Sequence, residues 1–286
     1  LRINNRLLED ISYFKGKNVV YLDIPVHSNI GDHLIYRGAM EALKLNNNII
    51  LAQFSVLNYS ISKIHTLLTI PNTIIVFHGG GNFGDIYGQH QNFRLDIIRK
   101  FPTVEIVVLP QSVHFNNEEI MAEQLEVFAS ENITVHVRDT YSFNLLKDYG
   151  VTTVLSPDCA HSLIETLHSN RKLQAQEKTL VFRRRDVEAR NENTDGFDWD
   201  DLLDKPDAFV FRAVRKLSHL KVANKISLML FKWYSNRIIT KAKVHFKKFD
   251  LVNTDRLHGF ILAILMGLKV NHQDNTYLKI TRYRET

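Results

Sequence analysis

The sequence predicts an α/β fold with a parallel β-sheet, and three observations lead to this prediction. Short runs rich in β-branched and aromatic residues alternate with longer stretches of helical apolar spacing through the first half of the chain. A second unit of the same kind begins at Thr179, after a polar stretch. The length, 286 residues, suffices for about two domains. Repeated strand–helix units form parallel sheets with helices on both faces.

The first unit, residues 1–164, is expected to form an N-terminal Rossmann-like domain. Its strands are continuous apolar runs such as NVVYLDI, TIIVFH and VEIVVLP, which are typical of strands buried on both faces. The predicted strands cover residues 18–24, 49–54, 73–78, 104–110, 133–137 and 152–155, and the predicted helices cover 35–45, a stretch ending near 68, 94–100, 117–129 and 140–149. Because ligands on such sheets bind at the carboxyl ends of strands, we expect the loops after the strands to carry the functional residues.

The second unit, residues 179–286, follows a polar linker at 165–178. It has predicted strands at 179–184, 248–254 and 268–271, a helix at 256–266, and a polar, acidic loop at 191–201. Between them lies a basic segment, residues 208–249, which we predict to be helical. The basic segment contains eleven Lys and Arg residues and no Asp or Glu, whereas the rest of the chain has more acidic than basic residues.

Composition and charge exclude several classes of protein. Apolar residues make up 44% and charged residues 23% of the chain, which argues against disorder. The net charge of +5 comes from one segment, so the chain is not expected to bind nucleic acid over a broad basic surface. The longest apolar stretch, 260–268, is too short to span a bilayer, and the first ten residues lack the apolar core of a signal peptide. One cysteine, Cys159, excludes an internal disulfide, and we expect a cytoplasmic protein.

The strongest local feature is the segment VNTDRLHGFILAIL. A strand is expected to end at Asn253, and Thr254 or Asp255 to cap the helix that follows. Arg256 and His258 would then lie in the first helical turn, at the carboxyl end of a parallel strand. A helix start has unpaired N–H groups and partial positive charge, so an added guanidinium makes it suitable for phosphate or carboxylate. The alternative is structural: Arg256 pairs with a neighbouring acid, and His258 caps or packs.

The second feature is HGGGNFGD, residues 78–85, which follows a predicted strand. Three consecutive glycines let the backbone approach a ligand closely and form an anion-binding nest, although a tight strand–helix turn also requires glycine. The spacing satisfies G-x-G-x-x-G, but the next strand ends in Leu109-Pro110-Gln111, without the acid that a dinucleotide site needs there. No G-x-x-x-x-G-K and no G-x-S-x-G occurs, which excludes a P-loop and a nucleophile elbow.

Three further loops carry candidate residues. In HSNIGDHLIYRG, Asp32 lies near a helix start after the first strand, and the simpler interpretation is that it caps this helix. In VHVRDTYSF, Arg138 lies at the carboxyl end of a strand and faces the crevice, although it can equally pair with Asp139 or another carboxylate. SPDCAH forms a similar polar corner with Asp158 and His161.

Thirteen histidines raise the question of a metal site. No two of them form H-x-x-x-H with an acid between them, and the single cysteine stands alone, so no metal is expected. The glycine-rich turns, the two strand-end arginines and the helix-start histidine instead suggest a cleft for a small, highly anionic ligand.

Taken in order, these motifs resemble the polysaccharide pyruvyl transferase family. The matching pieces are SNIGDHLIYRG, FHGGGNFGD, LPQSVHF, VRDTYSF, PDCAH, TDRLHGFILAILMG and DNTYLK, over roughly residues 18 to 280. The resemblance implies two Rossmann-like domains facing a central cleft, in a GT-B-like arrangement. It implies a transferase that moves the enolpyruvyl group of phosphoenolpyruvate onto two hydroxyls of a sugar in a bacterial exopolysaccharide or capsular polysaccharide precursor, forming a cyclic pyruvate ketal and releasing phosphate. The basic segment and RRRDVEA depart from the family pattern.

The resemblance also implies roles for individual residues, and no cofactor beyond phosphoenolpyruvate as donor substrate. Arg138 and Arg256 bind the phosphate and carboxylate of the donor, and the backbone N–H of Leu257 adds a further hydrogen bond. His258 is the general acid that protonates the methylene carbon. Asp32 accepts a proton from the attacking sugar hydroxyl, or positions that hydroxyl. The floor of the cleft is lined by Gly80, Gly81 and Asn82.

The basic segment has two interpretations. The apolar residues that can share one helical face are Val222, Ile226, Leu230, Trp233 and Tyr234, and the cations around this face are Lys221, Lys225, Lys232 and Arg237. Such a face can lie on the anionic inner membrane surface, where a lipid-linked oligosaccharide acceptor would be found. The alternative is a core-packing helix with solvated lysines.

Two other functions stay open from the sequence. A GT-B-type glycosyltransferase would bind a nucleotide sugar and show saturable binding of UDP or GDP. A non-catalytic sugar- or membrane-binding subunit would release no phosphate with any acceptor. A nucleic-acid-binding module has the least support, because the basic residues lack a recognised motif and an aromatic stacking pattern.

Overall fold

The computed structural model describes residues 2–168, 178–185, 195–220, 224–274 and 278–284. Within these residues the chain forms two parallel β-sheets, one of seven strands and one of three, with helices packed against them. The prediction of an α/β fold with a mostly parallel central sheet is therefore confirmed.

The larger sheet comes from the first half of the chain. Its strands are β1 (Asn18–Leu22), β2 (Ile49–Phe54), β3 (Thr73–Phe77), β4 (Gly80–Gly84), β5 (Ile106–His114), β6 (Ile133–Val137) and β7 (Thr153–Leu155). The strand order is β2-β1-β3-β5-β6-β7, with β4 paired to β5, and all of these pairings are parallel. The order reverses between β1 and β3, and the crevice at such a switch point is where open α/β sheets bind ligands.

Six helices accompany this sheet. They are α1 (Arg2–Asp10), α2 (Ile30–Leu45), α3 (Ile61–Leu68), α4 (Gly88–Lys100), α5 (Glu118–Phe128) and α6 (Thr140–Asp148). The next helix, α7 (Ile164–Leu167), buries Leu167 in the core of the smaller sheet. Strand residues such as Val20, Ile75 and Val108 are fully buried, as expected for strands covered on both faces. Helix α1 was not predicted, because most of its residues are polar. One side of the helix is nevertheless apolar, and Leu7 on this side is fully buried.

Two features of the larger sheet differ from the prediction. Strand β5 continues past Pro110 to His114, because β4 pairs with its second half. The register shifts between Val108 and Gln111, which accommodates a proline inside a central strand. The glycine-rich segment is therefore strand β4 and not an anion-binding nest. A Cβ at Gly84 would lie 1.7 Å from the carbonyl oxygen of His114, so close backbone approach requires glycine there.

The smaller sheet is formed by the second unit of the chain. Its strands are β8 (Thr179–Phe182), β9 (Leu251–Thr254) and β10 (Lys269–His272), in the parallel order β10-β9-β8. Its helices are α8 (Lys205–Ser218), α9 (Asn224–Phe246), α10 (Leu257–Leu265) and α11 (Lys279–Arg284). Ile30 and Leu34 of α2 belong to the same core as Leu180 and Phe182 of β8. Helix α2 thus packs against the smaller sheet as well as the larger one.

The predicted boundary between the two units falls partly outside the described residues. Of the predicted linker 165–178, the first residues complete α7, and residues 169–177 lie outside the described part. The same holds for Val222, which was assigned to the apolar face of the basic segment, and for Lys221, one of the cations predicted around that face. The division into residues 1–164 and 179–286 stays a prediction.

The basic segment is largely helical, as predicted. It contains most of α8, which begins before it at Lys205, and all of α9. Phe231, Tyr234 and Ile238 form part of the buried side of α9. Ile226 and Trp233 are each more than half exposed. The predicted apolar face is therefore divided, with Tyr234 in the core and Ile226 and Trp233 on the surface.

Candidate active site

A cleft of about 350 Å³ lies at the carboxyl ends of strands from both sheets. The predicted site residues that line it are Asp32, Gly81, Asn82, Arg138, Arg256, Leu257 and His258. The eighth, Gly80, lies beneath Asp32, where an added Cβ would be 3.7 Å from the Asp32 Oδ1 atom. Residues that are far apart in the sequence are thus brought together, because parallel strands end at the same edge of a sheet.

His258 lies in the first turn of α10, directly after β9. The expected caps are wrong, because Arg256 occupies the position before the helix and no side chain caps it. The hydroxyl of Thr254 instead accepts the backbone N–H of Arg256 at 3.0 Å, and Asp255 accepts a backbone N–H from the segment after β8. The helix begins at Leu257, so its N–H belongs to the first-turn donors that lack a carbonyl partner within the helix.

Arg138 and His258 meet at a buried carboxylate, although they belong to different sheets. The NH1 atom of Arg138 lies 3.5 Å from the Nε2 atom of His258, and both groups contact Asp158 Oδ2. The His258–Asp158 distance is 3.4 Å, and the Nε atom of Arg138 donates to the Ser112 hydroxyl at 3.0 Å. Asp158, and not Asp139, is therefore the acid that pairs with Arg138. Asp139 instead caps α6 by accepting the N–H of Ser142.

The environment of Asp158 keeps this carboxyl group ionised. Burial by itself raises the pKa of Asp158, but the Arg138 guanidinium, His258 and the backbone N–H of Ala160 outweigh burial and lower the pKa well below its usual range. A permanent carboxylate here holds both Arg138 and His258 in place. The SPDCAH corner thus supports two side chains of the cleft.

Arg256 is held by a second buried acid. Its Nε and NH2 atoms both donate to Asp198, with a distance of 2.7 Å from NH2 to Oδ2. Asp198 lies in the stretch predicted as a polar loop, where it also accepts the N–H of Trp199. Both arginines therefore pair with an acid, as the structural alternative for each of them predicted. Each arginine nevertheless lines the cleft, so the buried acid orients a guanidinium that still faces the ligand space.

Asp32 lines the same cleft and does not cap α2. The cap is Asn29, which accepts the N–H of Gly31 at 3.0 Å. Asp32 Oδ2 accepts from the Asn29 amide at 3.0 Å and lies 3.4 Å from His27 Nε2. Burial raises the pKa of Asp32, but nearby cationic groups, led by His27 and His258, lower it overall. The pKa of His27 is lowered mainly by burial.

Gly31 connects the first motif to His258. A Cβ added at Gly31 would lie 2.7 Å from the Nδ1 atom of His258 and 3.0 Å from its Cβ atom. Only glycine therefore lets the start of α2 lie directly against the imidazole. The SNIGD motif consequently has a packing role toward the candidate acid as well as supplying Asp32.

Residues 29–270 match the family model of the polysaccharide pyruvyl transferases. The chain belongs to the polysaccharide pyruvyl transferase family. It is 31% identical to EpsO of Bacillus subtilis (strain 168), which carries the provisional name of a pyruvyl transferase, over 95% of this chain and 86% of that protein. It is 29% identical to pyruvyl transferase 1 of Schizosaccharomyces pombe, over 96% of this chain and 71% of that protein.

A solved structure supports the fold of this family member. The crystal structure of a functionally uncharacterised protein from Klebsiella pneumoniae matches all of this chain and 94% of that chain. The TM-score is 0.59 at 18% sequence identity, which is a similarity of fold. In the described part of this transferase, no helix is both long and apolar enough to cross a membrane. The described residues likewise contain no group of three His, Cys, Asp or Glu side chains placed to hold a metal ion.

Several polar residues of the pyruvyl transferase cleft were not predicted from the sequence. Those that line it are Asp23, His27, His78, His90, Arg184 and Lys279. Burial lowers the pKa of His78 to about 4, so this imidazole is neutral near pH 7. Two signals could have indicated some of them: Asp23 is the acid near the end of the first strand run, NVVYLDI, and Lys279 ends the DNTYLK piece. Arg184 lies in RRRDVEA, the segment that departs from the family pattern.

Proposed function

We propose that this protein transfers the enolpyruvyl group of phosphoenolpyruvate to two hydroxyls of a sugar in a polysaccharide precursor, forming a cyclic pyruvate ketal and releasing phosphate. One observation carries the proposal: Arg138 from the larger sheet and Arg256 from the smaller sheet line one cleft beside His258. Phosphoenolpyruvate carries a phosphate and a carboxylate on a three-carbon skeleton. Each of these anions matches the planar fork of a guanidinium.

The donor would lie between the two arginines. The NH2 atom of Arg138 is close to Gly81, where an added Cβ would be only 3.2 Å away, so glycine keeps the space beside this guanidinium open. The N–H of Leu257 at the start of α10 adds a donor and the partial positive charge of the helix. Arg184 and Lys279 add positive charge to the cleft. This surplus of cations favours a small polyanion over a neutral sugar at this end of the cleft.

His258 would act as the general acid. Proton transfer from its imidazolium to the methylene carbon forms the methyl group and leaves positive charge at the neighbouring carbon. The oxygen of the first sugar hydroxyl bonds to that carbon, and Asp32 accepts its proton or positions it. Loss of phosphate then lets the second hydroxyl bond to the same carbon and close the ketal. The carboxylate of Asp158 lies 3.4 Å from the His258 Nε2 atom and orients the imidazole in the cleft.

The proposed domain arrangement follows from the same cleft. The two sheets present their carboxyl ends to it, which supports two Rossmann-like units facing each other in a GT-B-like manner, with boundaries at residues 1–164 and 179–286. A GT-B-type glycosyltransferase is the alternative with the same geometry. Such an enzyme would place a nucleotide where we place phosphoenolpyruvate.

Thermal unfolding in the presence of each ligand separates these two functions. We expect phosphoenolpyruvate at 100 times its dissociation constant to stabilise the protein by about 2.7 kcal/mol, and UDP- or GDP-sugars to have no effect. Inorganic phosphate and pyruvate serve as controls for each half of the donor. Stabilisation by nucleotide sugars alone would exclude the proposed function, and stabilisation by phosphate alone would exclude recognition of the whole donor.

The acceptor is proposed to be a sugar or lipid-linked oligosaccharide at the cytoplasmic side of the inner membrane. Support comes from the exposed side of α9, where Ile226, Met229 and Trp233 are 55%, 63% and 51% exposed. Their spacing of three and four residues places them on one helical stripe. The cations Lys225 and Lys232 adjoin these positions, and residues 208–249 contain no acid. An apolar stripe edged by cations matches the surface of an anionic leaflet.

Vesicle flotation tests this membrane contact. We expect the protein to float with vesicles that contain phosphatidylglycerol and to stay in solution with purely zwitterionic vesicles. Trp233→Glu should weaken flotation at least about tenfold, since it adds a negative charge to the apolar stripe. Ile120→Glu, at an exposed apolar position on α5, is the matched control and should float like the wild type. Equal flotation with both lipids, or no effect of Trp233→Glu, would exclude this surface.

A further inference from the structure

We infer that His90, oriented by Asp23, accepts the proton of one of the two acceptor hydroxyls. This inference rests on the proposed function and adds a second proton acceptor to it. His90 lies in the first turn of α4, and Asp23 directly follows β1. Both line the same cleft as His258 and Asp32.

The His90–Asp23 pair has the geometry of an oriented general base. The Nδ1 atom of His90 lies 2.7 Å from Asp23 Oδ1. Asp23 is 1% exposed, whereas the His90 side chain is 20% exposed and reaches the cleft. An ionised carboxylate only accepts hydrogen bonds, so the proton of a neutral His90 lies on Nδ1. The Nε2 atom then carries the lone pair, which is the arrangement that a base oriented by a third group requires.

A buried network keeps Asp23 in place as an acceptor. Arg94 is fully buried, and its NH2 atom lies 3.2 Å from Asp23 Oδ2. The same guanidinium also donates to the side chain of Asn82, whose amide lies 3.5 Å from Asp23 Oδ2. A buried arginine and its acid must stay paired, because loss of either partner leaves an uncompensated charge in the interior. Asn82, which lines the cleft, contacts both Arg94 and Asp23 and so belongs to the network that holds Asp23.

The backbone at Asp23 is strained in a way that points to function. Its φ angle is +70°, a conformation that residues other than glycine adopt rarely. Strain of this kind persists only where the surrounding structure enforces it, and it clusters at functional sites. The conformation turns the chain sharply at the end of β1 and brings the carboxylate to His90.

The stoichiometry of the proposed reaction supplies the chemical reason. Ketal formation breaks two O–H bonds on the sugar, the C=C π bond of the donor and one C–O bond to phosphate, and it forms two C–O bonds, one C–H bond and one O–H bond on the released phosphate. One of the two released protons replaces the proton that His258 gives to the methylene carbon, and the other leaves with inorganic phosphate. Two hydroxyls thus need two acceptors at different positions. Asp32 with His27 serves one position, and His90 with Asp23 serves the other.

The test compares His90→Gln and Asp23→Asn with His65→Gln, a matched change at an exposed histidine on α3. The assay measures phosphate release from phosphoenolpyruvate with p-nitrophenyl glycosides as acceptor probes, together with phosphoenolpyruvate binding by calorimetry. We expect His90→Gln to lower kcat about 100-fold and to remove the acidic limb of the pH–rate profile, with donor binding unchanged. Asp23→Asn should lower kcat similarly by reversing the imidazole tautomer. His65→Gln should match the wild type.

A purely structural role for His90 is distinguished by chemical rescue. Added imidazole should raise the activity of His90→Ala at least about tenfold, because the space left by the removed side chain opens to the cleft. The charged and titratable groups around His90 are Asp23, Arg94 and His27, so the same rescue is measured in His27→Ala as a comparison. Wild-type-like kcat in His90→Gln, parallel loss of donor binding, or no rescue overturns the inference. If the wild type neither binds phosphoenolpyruvate nor releases phosphate, the proposed function itself fails.

Discussion

Replacing His258 by glutamine is expected to lower kcat for pyruvyl transfer about 10³-fold, with phosphoenolpyruvate affinity changed only a few-fold. Glutamine keeps a polar group beside Asp158 and Arg138, so the buried carboxylate retains its partners. It cannot donate a proton to carbon, however, and the first chemical step loses its acid. The predicted loss is therefore one of rate and not of binding.

The pH–rate profile gives the sharpest readout for His258. A general acid must be protonated to act, so the wild-type rate should fall as the pH rises through its ionisation, giving a basic limb. This limb should be absent in His258→Gln and present in the control His65→Gln. If both limbs are unchanged in His258→Gln, His258 is not the acid. The acidic limb belongs to the proton acceptors, so the His258 and His90 variants should alter opposite sides of the profile.

Replacing Arg138 by lysine is expected to lower kcat/KM by about 10²-fold or more. The guanidinium uses Nε for Ser112 and NH1 for Asp158 while NH2 faces the space beside Gly81. A single ammonium cannot serve these three directions, and Asp158 would be left poorly paired inside the protein. This factor corresponds to a loss of about 2.7 kcal/mol of transition-state stabilisation.

The same reasoning applies to Arg256→Lys, since Asp198 engages two nitrogen atoms of the Arg256 guanidinium. The matched control is Arg99→Lys. The Arg99 side chain is 57% exposed, and its NH2 atom lies 4.0 Å from Glu123, which is a long distance for an ion pair. Exposed pairs of this kind contribute little, so the control should be indistinguishable from the wild type. Calorimetry should show weaker phosphoenolpyruvate binding in both cleft variants. Activity equal to that of Arg99→Lys in either one would remove that arginine from the donor site.

Much of the fold could be predicted because parallel strands and amphipathic helices have local signatures. The runs around β1, β3 and the first half of β5 are mostly apolar, and the structure has strands at these positions. Predictions were wrong where tertiary contacts override local pattern. The GGGNF segment has no strand propensity, yet it forms β4 because β5 offers an unpaired edge beyond Pro110. Helix α1 is mostly polar, and Leu7 is buried in a core that also contains residues of α2 and β1.

The candidate site divides in the same way. Arg138, Arg256 and His258 were predicted because each follows a strand within a short motif. Their partners Asp158 and Asp198 were not assigned, because a buried acid in a loop has no local sign of which cation it will meet. Asp158 lies 100 residues before His258, and Asp198 lies 58 residues before Arg256. Such pairings depend on which strand ends become neighbours.

Local sequence alone determined that this chain is an α/β protein of the pyruvyl transferase family and which strand ends carry arginine and histidine. These properties depend on side-chain periodicity and short motifs, and both are formed by residues that lie close together in the sequence. Only the tertiary structure decided that the two arginines share one cleft, that buried acids orient them, and that His90 meets Asp23 in the same cleft. The reason is physical: a charge can be kept in the interior only beside a partner, and the packing of the two sheets selects that partner.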